Sequence, residues 1–159
     1  MTNRNDTTVM IVDDEEIIVG AIQSFLEFET DYAVLPFTSP KKAIDALEAE
    51  PVHMIVADFM MPEMDGVSFL TRARKMQPEA TRVLLTGYAD KQNAIRAINE
   101  AGLYHYLEKP WDNDALMLII RNGVERALMF TELQARVSEL EEANSELAGF
   151  RERLIQAFL

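Results

Sequence analysis

The chain opens with a short β-branched apolar run, Thr8-Val9-Met10-Ile11-Val12, which stops at two aspartates, Asp13 and Asp14. A helical pattern follows, with Ile18, Ile22, Phe25 and Leu26 spaced three and four apart on one face. Tyr32 to Phe37 predicts a second strand. Ser39-Pro40 then predicts a helix start, because serine caps free N–H groups and proline suits the first turn. Ala43, Ile44 and Leu47 make the inner stripe of that helix. Val52 to Ala57 is apolar on nearly every residue, the pattern of a strand buried on both faces, and Asp58 ends it.

Met61 to Gly66 predicts a loop, and Val67, Phe69, Leu70 and Ala73 line the helix after it. Pro78 lies in the next turn. Arg82 to Thr86 predicts a fourth strand, Asp90 to Ala101 a helix and Leu103 to Leu107 a fifth strand. Five strands alternating with helices predict an α/β fold, a parallel sheet covered on both sides by right-handed crossovers. In such sheets a ligand sits beyond the carboxyl ends of the strands, where strand order reverses. Asp13, Asp14, Asp58, Thr86 and Lys109 all fall at those ends.

Three carboxylates in one small space repel one another, unless a hard divalent cation sits among them. Mg²⁺ takes oxygen ligands and keeps coordination sites for a phosphate oxygen. Helix capping is the other reading of Asp13 or Asp14. It accounts for one of the two and leaves Asp58 and Lys109 at the same edge unexplained. Phosphoryl transfer needs a nucleophile, a cation and donors for the equatorial oxygens. Asp58 suits the first role, Lys109 adds a compact positive charge, and the Thr86 hydroxyl adds a donor. A lone Lys109 would read as a solvated surface residue. Its place before Pro110 at a strand end argues against that.

The 159 residues allow one ordinary domain and an extension. A net charge of −12 argues against a nucleic-acid surface, which must neutralise phosphates with Lys and Arg. The absence of cysteine excludes disulfides, thiolate metal sites and cysteine nucleophiles. No apolar run is long enough to cross a bilayer and the first residues are polar, so the expected location is cytoplasmic, with no membrane contact.

Val12-Asp13-Asp14-Glu15, Asp58 to Gly66, Leu85-Thr86-Gly87-Tyr88 and Tyr106-Leu107-Glu108-Lys109-Pro110 together resemble response-regulator receiver domains, over roughly residues 7 to 125. The resemblance implies a flavodoxin-like (βα)5 fold with strand order 2-1-3-4-5. It implies Asp58 as phosphoacceptor for a histidine kinase or phosphotransfer protein. Asp13, Asp14, Asp58 and the Met60 carbonyl would bind Mg²⁺, or Mn²⁺ in its place. Thr86 and Tyr106 would form a switch pair, Lys109 would pair with the phosphate, and the Lys109–Pro110 bond would be cis. Trp111 after Lys-Pro is similar to receivers that precede cyclic-di-nucleotide hydrolases, phosphatases and some transcription activators.

After Asp112 no proline occurs through Leu159, which allows about 70 Å of continuous helix. Gly123 weakens it by about 1 kcal/mol. Phe130, Val137, Asn144, Arg151 and Phe158 fall at a positions of a heptad, and Leu133, Leu140, Leu147 and Leu154 at d. Leucine at every d predicts a parallel two-stranded coiled coil and a homodimer. Asn144 would pair with its twin, and Arg136 at g would face Glu141 at e of the partner. One helix packed on its own domain is the alternative. Residues 1–125 thus form the expected receiver and 126–159 a coiled-coil linker. The apolar stop at Ala157-Phe158-Leu159 suggests a chain cut from a longer protein with an output domain.

The expected function is a regulatory module, not a metabolic enzyme: Mg²⁺-dependent phosphorylation of Asp58 changes the face formed by the fourth and fifth helices and the fifth strand. The coiled coil then passes that change onward. A haloacid-dehalogenase-type phosphatase would need an aspartate two residues after the nucleophile, where this chain has Met60. A constitutive dimerisation scaffold with a vestigial site is the second rival.

Overall fold

The structure is a computed structural model describing residues 6–87 and 91–158, apart from the side chains of Lys91, Asn93 and Ala94. Tyr88 of the third motif, Asp90 at the expected helix start and Leu159 at the expected helix end lie outside the described residues. The strands are β1 (Thr8–Val12), β2 (Ala33–Phe37), β3 (Met54–Asp58), β4 (Thr81–Thr86) and β5 (His105–Glu108). The helices are α1 (Glu16–Glu29), α2 (Pro40–Ala49), α3 (Gly66–Met76), α4 (Lys91–Glu100) and α5 (Asn113–Phe158).

All pairings are parallel and the order is β2-β1-β3-β4-β5, the arrangement implied by the motifs. β3 and β4 are buried along their whole length and β1 on all but its first residue, because helices cover both faces of a parallel sheet. The edge strands β2 and β5 are half-exposed. Met10, Val12, Ile55, Leu84, Phe69 and Leu70 belong to the central apolar cluster.

Several boundaries differ from the pattern-based expectation. β3 begins at Met54 and includes Asp58, so that aspartate is held by the ladder itself. β5 begins at His105, two residues late, because Gly102 takes a left-handed φ of 59° and the chain turns there. Leu103 is still buried, and the Tyr104 N–H donates to the Arg82 carbonyl at 2.9 Å. In α1 the buried residues are Val19, Ile22 and Leu26, while Ile18 and Phe25 are half-buried. Ser39 caps α2 by accepting from the Lys42 N–H at 3.4 Å, with Pro40 in the first turn.

Gly123 has a packing reason that outweighs its low helix propensity. A Cβ there would stand 2.8 Å from Met54 Sδ and 3.1 Å from Thr81 Cγ2. Its carbonyl also accepts from the Thr81 hydroxyl at 2.6 Å. Two compact units divide the chain, Met1–Ala127 and Leu128–Leu159. In the second unit Leu133, Val137, Leu140, Leu147 and Leu154 are exposed. Arg136 there approaches Glu132, one turn back, at 3.7 Å.

Candidate functional site

Backbone register alone brings the acids together. Val12 of β1 pairs with Ala57 of β3, so Asp13 and Asp58, the next residues, arrive side by side at the carboxyl edge. This is where strand order reverses, since β1 lies between β2 and β3. Asp13 is fully buried and Asp58 nearly so, while Asp14 is exposed. Their ligand oxygens lie within 4.8 Å of one another. Neither Asp13 nor Asp14 is the N-cap of α1. That position is Glu15, and Asp13 Oδ1 accepts from the Glu15 N–H at 2.9 Å, just before the helix.

β5 delivers the cation. Lys109 Nζ lies 3.0 Å from Asp13 Oδ2 and 3.0 Å from Asp58 Oδ1. The Lys109 N–H donates to the Thr86 carbonyl at 2.8 Å, and the Lys109–Pro110 peptide is cis. Thr86 itself is buried at the last position of β4. Tyr106 pairs with Leu84, two residues before Thr86, so the Tyr106 and Thr86 side chains lie on one face of the sheet. Tyr106 is half-buried against the apolar core. Met60, exposed on its side chain, lines an open hollow of about 430 Å³ together with Asp14, Phe59, Pro62 and Asp65.

The electrostatics follow from burial. Asp58 is pushed up to about 6 by desolvation and by Asp13 and Asp14, against the lowering hydrogen bond and charge of Lys109. Burial also raises Asp13, outweighing the Glu15 N–H and Lys109. For Lys109 burial works downward, yet its hydrogen bonds to Asp58 and Asp13 hold it above the ordinary lysine range. One ammonium therefore offsets only one of three carboxylates. An all-oxygen donor set with uncompensated negative charge fits a hard divalent cation such as Mg²⁺.

Gly66 has a part that its place in the motif did not reveal. A Cβ on it would fall 2.2 Å from the Asp58 carbonyl oxygen and 2.9 Å from Leu84 Cδ1. Because it has none, the start of α3 rests directly on the Asp58 backbone. Its N–H donates to the Phe59 carbonyl at 2.8 Å, closing the loop after Asp58. Asp65 caps α3, its carboxylate accepting from the Ser68 N–H at 2.8 Å. The Asp-Gly pair before an apolar helix stripe is the sequence signal for this junction.

The chain shares its family and fold with known proteins. The model of the response regulator receiver domain matches residues 9–121. The hydrogenase transcriptional regulatory protein HoxA of Cupriavidus necator is 39% identical over 118 residues, which are 74% of this chain and 24% of the relative. Response regulator Rre1 of Synechocystis is 28% identical over 151 residues, 94% of this chain and 65% of that one. The chain thus spans about a quarter of the length of the hydrogenase regulator. Among solved structures, the signal receiver domain of an HD domain-containing protein from Pseudomonas fluorescens Pf-5 superposes with a TM-score of 0.74 at 32% identity. That match covers 77% of this chain and 98% of the other. No helix among the described residues is long and apolar enough to cross a membrane. With the fold, the acid cluster and the matched span in agreement, the chain belongs to the response regulator receiver domain family.

Proposed function

We propose that Asp58 accepts a phosphoryl group from a histidine kinase or phosphotransfer protein. The observation that carries this is Asp58 Oδ1, 3.0 Å from Lys109 Nζ, within the cluster of Asp13 and Asp14. An Asp58 oxygen forms the bond to phosphorus as the donor's bond to phosphorus breaks, leaving an aspartyl-phosphate. Asp13, Asp14, Asp58 and the Met60 carbonyl would hold Mg²⁺ or Mn²⁺. When bound, that cation supplies positive charge to the carboxylates and phosphoryl oxygens. Lys109 is placed to leave its carboxylate partners for the phosphoryl oxygens, and the Thr86 hydroxyl to donate to them.

Thr86 and Tyr106, on one face of the sheet, form the switch. Its movement alters the surface of α4, β5 and α5, and residues 126–159 pass the change to an output domain. Those residues pair in parallel with a second copy through the stripe containing Phe130, Leu133, Val137, Leu140, Leu147 and Leu154. Trp111 after Lys-Pro does not choose the output. Two of the similar proteins are a hydrogenase transcriptional regulatory protein and an HD domain-containing protein.

The test is the intact mass after incubation with Mg²⁺ and acetyl phosphate. The wild type gains about 80 Da, one phosphoryl group, and Asp58→Asn gains nothing. No gain in folded wild type would favour the second reading, a constitutive dimerisation scaffold. That reading draws on the exposed apolar stripe of the tail, which needs no phosphate to pair.

A further inference from the structure

A single heptad frame leaves an electrostatic fault in the tail. It puts Arg151 at an a position, where a parallel partner presents its own Arg151, and Asn144 one heptad earlier. The e and g positions around Arg151 carry Ala143, Ala148, Phe150 and Ile155, so no carboxylate flanks the paired guanidinium groups. A buried cation without a partner is costly. Meanwhile Phe150, at g, is exposed on the described helix.

A second frame removes the fault. Phe130, Leu133, Val137, Leu140, Ala143, Leu147, Phe150, Leu154 and Ala157 follow steps of three, four, three, three, four, three, four and three. Every one of them is apolar. The two consecutive threes are a local insertion of three residues, which overwinds a coiled coil without breaking its helices. α5 is continuous through this stretch, as such a seam requires. Beyond Leu140, Asn144 and Arg151 move to e positions and Glu146 to g. Glu146 of one copy then faces Arg151 of the other, as Arg136 faces Glu141 in the first half.

We infer that the tail's partner is a second, parallel copy of this chain, and that the seam changes register at Leu140, releasing Asn144 and Arg151 to the flank. The inference rests on the pairing of residues 126–159 proposed above. It makes the tail a two-register device with a twist stored at one defined point, between Val137 and Ala143.

The chain has no cysteine, so single cysteines can be introduced in the full chain and oxidised. A disulfide forms only where Cα atoms come within about 4.4–6.8 Å, which favours seam positions. Val137→Cys, Ala143→Cys and Phe150→Cys are expected to cross-link several-fold more than Arg136→Cys, Asn144→Cys and Arg151→Cys. Cross-linking at 144 and 151 equal to or above that at 143 and 150 would overturn the register change while leaving the dimer. A monomer by light scattering, with Val137→Cys also unlinked, would instead overturn the pairing itself. Glu146→Arg is expected to weaken the dimer several-fold, and Arg151→Glu in the same chain to restore it. A double variant no tighter than the single one also sinks the register change.

Discussion

The two parts of α5 carry similar apolar periodicity and opposite burial. In the receiver unit Leu116, Ile120, Val124 and Ala127 are buried, with Gly123 close against Met54 and Thr81 of the sheet. In the tail unit Leu133, Val137, Leu140, Leu147 and Leu154 stay exposed in the single chain. The contrast teaches that a periodic stripe states the need for a cover and leaves the identity of that cover open. For one part the cover is the chain's own sheet. For the other we assign a second copy.

The largest expected effect breaks the comparison at its buried end. Ile120→Ala should lower the unfolding free energy by about 2–5 kcal/mol, through lost transfer energy and a cavity. Leu140→Ala, by contrast, should leave urea unfolding of the receiver unit within about 0.5 kcal/mol and act on self-association instead. Equal losses in both variants would show that the two parts share one core.

Next is Gly66→Ala, which sets a methyl group against the Asp58 backbone and should cost about 1–3 kcal/mol by overpacking. Slower phosphorylation by acetyl phosphate should accompany it. Unchanged stability and rate would show that the α3 start can move away freely.

A smaller effect concerns pH. Asp58 has a folded pKa of about 6, above its ordinary value of 3.8. The protonated acid is therefore favoured in the folded state. Its contribution is complete below about pH 4 and lost as pH rises through 6. A divalent cation needs the ionised form, so the rise in Tm on adding Mg²⁺ should be larger at about pH 8 than at about pH 5. A gain independent of pH would place the cation elsewhere.

The smallest effect lies on the tail surface. Glu132→Ala removes an exposed pair with Arg136 at 3.7 Å, and should change helix content and stability by at most about 0.5 kcal/mol.

Much of this protein was legible from pattern alone. β1 is read from its β-branched run, α2 from Ser39-Pro40 and its apolar stripe, and β3 from unbroken apolarity, since each signal is local. The acidic edge was legible because a parallel sheet sends successive strand ends to one side. β5 starts later than its apolar run predicts because Leu103 is buried after the Gly102 turn without joining the ladder. Capping of α1 by Asp13 or Asp14 was a reasonable local reading. The cap is instead Glu15, whose N–H donates to Asp13 Oδ1, while Asp13 Oδ2 accepts from Lys109, 96 residues away.

By itself the sequence determined the alternation of strands and helices, the polar residues at strand ends and the heptad spacing of the tail, all of which depend on neighbours within a few turns. Only the tertiary structure decided that Asp13, Asp58 and Lys109 touch, that burial outweighs the lysine and raises both acids, and that Gly66 and Gly123 are points of close approach. Those facts depend on register between strands and on the space left between packed elements. Neither quantity is carried by any single stretch of chain.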